Sequence, residues 1–237
     1  MLEAIQLTKS YQQHPALKGL NLTINAGEIF CLLGANGAGK TTTINLFMNF
    51  IQPTSGEVKV NGLNVVTQAR ETKKYLAYIP ESLNLYPHLT GLENLQFFVN
   101  LGEKQLDKNT LESLLVATGL PQEAVRKRVA HYSKGMRQKV GIAIAKAKEA
   151  DNLLLDEPTS GLDPQASNDF AVLLQQMQAK GVATLMATHD LFRAREVGIH
   201  IGIMRAGELV HVLKSEDISL NELEKLYIAT MKTTAHA

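Results

Sequence analysis

Along the first sixty residues, hydrophobic and polar positions alternate. Leu20, Leu22 and Ile24 are interleaved with Asn21, Thr23 and Asn25, and Val58 and Val60 with Lys59 and Asn61. A period of two with polar partners predicts half-buried antiparallel strands. Between these segments, Glu28-Ile29-Phe30-Cys31-Leu32-Leu33 is a nearly unbroken apolar run that ends at a glycine. Such a run suits a strand covered on both faces, as in a parallel sheet. Leu76–Ile79, Leu153–Leu155 and Ala183–Ala187 are similar short runs with polar residues just past their C-terminal ends. In open parallel sheets, ligands bind beyond those ends.

From about Thr90 to Ala150 the pattern becomes helical and more charged, with Leu92, Leu95 and Val99 at helical spacing. This stretch reads as a helical insert between two sheet-forming portions. Asp163-Pro164 starts a further helix, with Asp as N-cap and Pro at the first helical position. Phe170, Leu173, Leu174 and Met177 form its apolar face and Gly181 ends it. Ile201–Met204 and Glu208–Val212 flank Arg205-Ala206-Gly207 as a hairpin, and a short helix is expected around Asn221–Met231, followed by a frayed tail.

Composition adds mainly exclusions. The chain has 237 residues, 45% hydrophobic and 20% charged, which excludes wholesale disorder and allows a sizeable core. With 24 Lys+Arg against 23 Asp+Glu there is no global field for nucleic acid or an anionic membrane. The lone Cys31 excludes a disulfide framework. The opening MLEAIQLTKSY lacks a basic-then-apolar signal pattern, and no stretch of about 18 apolar residues occurs. The expectation is a soluble chain that reaches a membrane only through a partner.

Two segments carry chemistry. Gly34-Ala35-Asn36-Gly37-Ala38-Gly39-Lys40-Thr41, followed by Thr42, matches the P-loop pattern. Its glycines let successive backbone N–H groups turn toward a polyphosphate, and the helix starting near Lys40 adds its positive end. Lys40 is placed to reach the β- and γ-phosphates and the Thr41 hydroxyl to ligate Mg²⁺. In the second segment, Asn152-Leu153-Leu154-Leu155 is an apolar strand delivering Asp156 and Glu157. Adjacent carboxylates can divide the work, one holding Mg²⁺ through water and the other polarising the attacking water. The reading is a chain that binds and hydrolyses Mg-nucleotide.

Further along, Tyr132-Ser133-Lys134-Gly135-Met136-Arg137-Gln138 precedes the second segment, Ser160–Pro164 follows it, and Thr188-His189-Asp190 ends the next strand. In this order, together with the P-loop, these residues resemble the ATP-binding subunit of an ABC transporter over about residues 1–212. The resemblance implies an α/β fold: a P-loop NTPase core with a mixed sheet, an N-terminal antiparallel β subdomain and an inserted α-helical subdomain at about 82–150. Residues 213–237 would be a C-terminal helix and tail. By the same resemblance Tyr11 stacks on adenine, Glu157 is the general base, and His189 contacts the γ-phosphate. Ser133, Lys134 and Gly135 belong to the signature that faces the partner subunit's nucleotide, and Asp163 communicates with that subunit. Thr41, Asp156 and Glu81 are the Mg²⁺ residues.

Two departures from the family's commonest pattern stand out. Tyr132, Lys134 and Met136 replace three of the five residues of Leu-Ser-Gly-Gly-Gln, and Glu81 stands where a glutamine is usual. Glutamate can accept hydrogen bonds there but has no amide N–H to donate. Both departures resemble the ABC-2 exporter-type subgroup. The resemblance implies a second copy or a paralogue as dimer partner, and an integral permease contacted through about residues 81–95, at the cytoplasmic face of a membrane. No nucleic acid is expected, and the basic Arg126-Lys127-Arg128 run reads as a solvated face. A non-transport ABC ATPase acting on DNA or ribosomes, and a nucleotide-dependent scaffold without turnover, are the alternatives. A single cassette with a modest insert argues against the first, and Glu157 with His189 against the second.

Overall fold

The computed structural model describes residues 1–102 and 104–232, so the expected tail at 233–237 lies outside the described residues. Two sheets carry the architecture. The strands β1 (Leu2–Tyr11), β2 (His14–Ile24), β4 (Ser55–Val60) and β5 (Leu63–Asn64) form an antiparallel sheet in the order β2-β1-β4-β5. The second sheet contains β3 (Ile29–Leu33), β6 (Leu76–Ile79), β7 (Asn152–Asp156), β8 (Ala183–Thr188), β9 (His200–Arg205) and β10 (Glu208–Lys214), in the order β10-β9-β3-β8-β7-β6. Its five inner and edge strands from β9 to β6 run parallel, and β10 pairs antiparallel with β9 through the expected hairpin.

Every residue of β3, β7 and β8 is buried, which is why these segments read as unbroken apolar runs. The helix α1 (Lys40–Phe47) buries Ile44, Leu46 and Phe47 between the two sheets, against Leu32, Leu154 and Leu185. The opposite face of the parallel sheet is covered by α5 (Lys134–Lys148), α6 (Pro164–Ala179), α7 (Leu191–Val197) and α8 (Leu220–Lys232). There Phe170, Leu173, Leu174 and Met177 of α6 meet Leu153, Leu155 and Met186.

A third apolar cluster joins α3 (Gly91–Leu101), α4 (Lys108–Ala117) and α5. It contains Leu95, Val99, Leu111, Leu115 and Val140. The α5 helix serves two clusters: Val140, Ala143 and Ala147 face the helices, while Ile142 and Ala145 face the sheet. The helix α2 (Ala69–Tyr75) precedes β6 and buries only Thr72.

Tyr132, which departs from the usual leucine, has a structural task here. It is 5% exposed and its hydroxyl donates to the Ala124 carbonyl at 2.7 Å. Burial raises its phenol pKa above the ordinary value. A Cβ added at Gly91 would stand 2.3 Å from that hydroxyl, so the first residue of α3 is glycine because Tyr132 lies against it. Tyr132→Phe should therefore lose about 0.5–1.5 kcal/mol of stability by removing one hydrogen bond to the Ala124 carbonyl, which keeps the Lys127 amide as a partner. Gly91→Ala should lose about 1–3 kcal/mol by overpacking. Denaturant midpoints of the two variants and their combination check this. The double variant should lose less than the sum, because removing the hydroxyl relieves the clash.

Candidate nucleotide site

The site is assembled at the C-terminal ends of three adjacent parallel strands. After β3 the chain curls through Gly34–Gly39 and enters α1 at Lys40. Gly37 and Gly39 have φ of 81° and 109°, a region that glycine enters without strain. Gly39 is also the N-cap of α1 and offers no side-chain cap, so no side chain competes for the first amides of the helix. A Cβ on Gly39 would lie 2.8 Å from the Ala16 carbonyl, which fixes the loop against β2 of the antiparallel sheet.

Residues 35–42 line one cavity of about 330 Å³ together with Glu81, Asp156 and Glu157. Lys40 is 6% exposed, and its Nζ donates to the Gly34 carbonyl at 2.6 Å and the Ala35 carbonyl at 3.4 Å. It also stands 3.6 Å from Glu157 Oε1. The Thr41 hydroxyl donates to Asp156 Oδ1 at 3.3 Å, joining the first turn of α1 to the end of β7. Gly34 lies behind this wall and packs on Met204 of β9.

Glu157 follows Asp156 with φ of 47°, an uncommon conformation for a side chain of this kind. Its N–H donates to the Ala187 carbonyl at 2.9 Å, which prolongs the contact between β7 and β8 by one residue. The carboxylate lies between Lys40 and the segment after β8: His189 Nδ1 is 2.8 Å from Oε2, and the His189 amide donates to the same oxygen at 3.3 Å. Lys40 and His189 thus hold opposite oxygens of one carboxylate.

Burial pushes the Asp156 carboxyl above the ordinary aspartate value. The Thr41 hydrogen bond opposes this shift, the Glu157 charge adds to it, Lys40 opposes it and Glu81 adds to it. Glu157 thus stands beside the buried ammonium and Asp156 beside the Thr41 hydroxyl, with Glu81 on the wall of the same cavity. Such a set of hard oxygen donors with excess negative charge suits Mg²⁺, which usually takes one or two protein ligands and completes its shell with phosphate oxygens and water.

The remaining expected residues lie elsewhere. Tyr11 ends β1 at the tip of the hairpin with β2, opposite His14, and is exposed with Lys9 Nζ 5.1 Å from its ring centre. It does not line the phosphate cavity. Ser133 caps α5, accepting from the Met136 amide at 3.2 Å, and neither Ser133, Lys134 nor Gly135 lines that cavity. The three form a separate helix N-terminus within this chain. Asp163 caps α6, accepting from the Ala166 amide at 2.9 Å. Sequence reasoning missed Ser160 as a site residue: its hydroxyl donates to Glu81 Oε1 at 3.2 Å, across 79 positions of chain. No local pattern signals that pairing.

Comparison with known proteins agrees with this geometry. The family model described as "ABC transporter" matches residues 17–160. The bacitracin transport ATP-binding protein BcrA of Enterococcus faecalis is 34% identical over 95% of this chain and 71% of its own length. The linearmycin resistance ATP-binding protein LnrL of Bacillus subtilis (strain 168) is 30% identical over 92% of this chain and 70% of its own. A solved ATP-binding subunit of an ABC transporter superposes with a TM-score of 0.86, at 30% identity, covering 98% of this chain and 100% of the other. An ATP-binding cassette solved as a dimer in a post-hydrolysis state with ADP and Pi gives a TM-score of 0.82, at 27% identity, covering 91% of this chain and 99% of that one. With a P-loop, a strand-end carboxylate pair and a family match of this extent, the chain belongs to the ABC transporter family as an ATP-binding, ATP-hydrolysing subunit.

Proposed function

We propose that two copies of this chain, or one copy and a paralogue, pair head to tail and drive export through a separate integral permease. The observation that carries the reading is Glu157, held at the lip of the P-loop cavity between Lys40 and His189. Residues 1–212 act as the ATPase domain, with about 82–150 as its helical insert. The C-terminal portion contributes α8, which packs on the sheet face through Leu223.

Within one chain the P-loop amides and Lys40 hold the β- and γ-phosphates, with Thr42 beside them, and Tyr11 stacks on adenine. Thr41, Asp156 and Glu81 would hold Mg²⁺, which would supply positive charge to offset that of the phosphate oxygens. Glu157 accepts a proton from water as the water oxygen bonds to the γ-phosphorus and the bond to the β-γ bridging oxygen breaks. His189 holds Glu157 in place and reaches the γ-phosphate.

Ser133 is exposed at the start of α5 and Gly135 is buried in its first turn, and the amides and positive dipole end there have no phosphate to meet in their own chain. A head-to-tail partner supplies one, and two-fold symmetry then gives two composite sites. Asp163 lies at the neighbouring helix start and faces the same interface. The dimeric state of a solved relative supports this arrangement.

The chain sits peripherally at the cytoplasmic face, held by a permease docked on about 81–95; among the described residues no helix is long and apolar enough to cross a membrane. Tyr86 of that region is exposed and packs edge to face on Phe97 just beyond it, with centroids 4.7 Å apart. The named roles of the relatives in bacitracin transport and linearmycin resistance support export.

Glu157→Gln keeps the shape but removes the base, so turnover should fall by about a hundredfold or more while ATP still binds and holds a stable dimer. Steady-state ATPase assays and size-exclusion chromatography with Mg-ATP check both parts, and undiminished turnover would reassign the base. Lys40→Ala should instead weaken ATP binding itself by about tenfold or more, read by equilibrium titration with a fluorescent ATP analogue.

A further inference from the structure

The start of α5 is tied to the turn that follows β7 by two of its own side chains. Lys134 Nζ donates to the Ser160 carbonyl at 2.6 Å. One turn further along the helix, Gln138 is 1% exposed and its Nε2 donates to the Pro158 carbonyl at 3.2 Å. The helices are close here: a Cβ on Gly135 would lie 3.0 Å from Ala166 Cβ at the start of α6. The same turn reaches the nucleotide cavity at both ends. It begins at Glu157, with its left-handed backbone, and its Ser160 hydroxyl donates to Glu81 Oε1 at 3.2 Å. Lys134 is thus directed into its own chain, and not outward from the helix end.

A glycine at position 134 could make no such side-chain contact, so the charged residue adds a strut to the packing and the Gln138 hydrogen bond that also join these two parts of the chain. Three functional segments share it: the helix N-terminus carrying Ser133 and Gly135, the turn carrying Glu157, and Glu81. We propose that Lys134 is a positioning residue. Through the Ser160 carbonyl it holds the 157–160 turn, and with it Glu157 and Glu81, so that contact at the start of α5 is transmitted to the carboxylates of the same chain. The proposal rests on the reading of Glu157 as general base. In a dimer, a partner's nucleotide seated at one chain's α5 would thereby set that chain's own hydrolytic geometry.

The test is steady-state ATPase kinetics on the full chain carrying Lys134→Met, Lys134→Arg, Ser160→Ala and the double variant Lys134→Met/Ser160→Ala. Lys134→Met keeps the stem and removes the ammonium. It should lower kcat by about tenfold and change KM for ATP by less than about twofold, the signature of lost transition-state geometry without lost binding. Lys134→Arg should restore at least about half of the rate. The double variant should lose less than the product of the single losses, because both changes release the same turn. Unchanged denaturant midpoints would keep these effects separate from folding. A raised KM with kcat intact would overturn the proposal in favour of direct contact between Lys134 and the partner's phosphate. Failure of arginine to rescue, or fully multiplicative losses, would overturn it as well. Glu157→Gln measured alongside separates the two readings: if it stops turnover while Lys134→Met leaves kcat unchanged, the strut is wrong and the base assignment stands.

Discussion

One buried ammonium governs the catalytic end of the sheet. Lys40 is 6% exposed on the wall of the cavity, and a charge so buried is costly unless its donors find acceptors. Two backbone carbonyls of its own loop and the Glu157 carboxylate meet that demand. These contacts fix the curl of the loop and draw the end of β7 toward α1. Once Glu157 is drawn in, its other oxygen takes His189, so the loops after β3, β7 and β8 become a single electrostatic unit. The uncommon backbone at Glu157 is the strain that this arrangement sustains.

The rest of the fold supplies rigid anchors for that unit. Three wholly buried strands deliver the loops side by side, and the antiparallel sheet presses on the P-loop where Gly39 meets the Ala16 carbonyl. On the far side, α5 and α6 clamp the turn after Glu157 through Lys134, Gln138 and the close approach of Gly135 to Ala166. Tyr132 seats the start of α5 against α3. The start of α5 therefore has neighbours leading both to the proposed permease-facing segment and to the proposed hydrolytic carboxylates.

Much of this was legible in the sequence where a local rule applied. The buried strands announced themselves as apolar runs, and Asp163 and Ser133 cap their helices as their residue types require. The first strand was not individually legible. Its register with β2 shifts between Ala4 and Leu7 and again near Lys9, and Gln6 takes a positive φ, so the alternation that marks a strand is broken. The helix α2 was hidden by its polarity, since it buries only Thr72. The P-loop and Asp156-Glu157 were readable because their chemistry is local. The Ser160 contacts with Glu81 and Lys134 were not, because they join segments far apart in the chain and depend on how α5 lies against β6.

The central claim is that hydrolysis needs the exposed start of α5 from a second chain. The direct measurement is ATPase rate per chain at saturating Mg-ATP over a wide range of protein concentration. A site completed by a partner gives a specific activity that rises steeply with concentration and levels off when dimers are saturated. Constant specific activity down to concentrations at which light scattering shows only monomers with ATP bound would contradict the account.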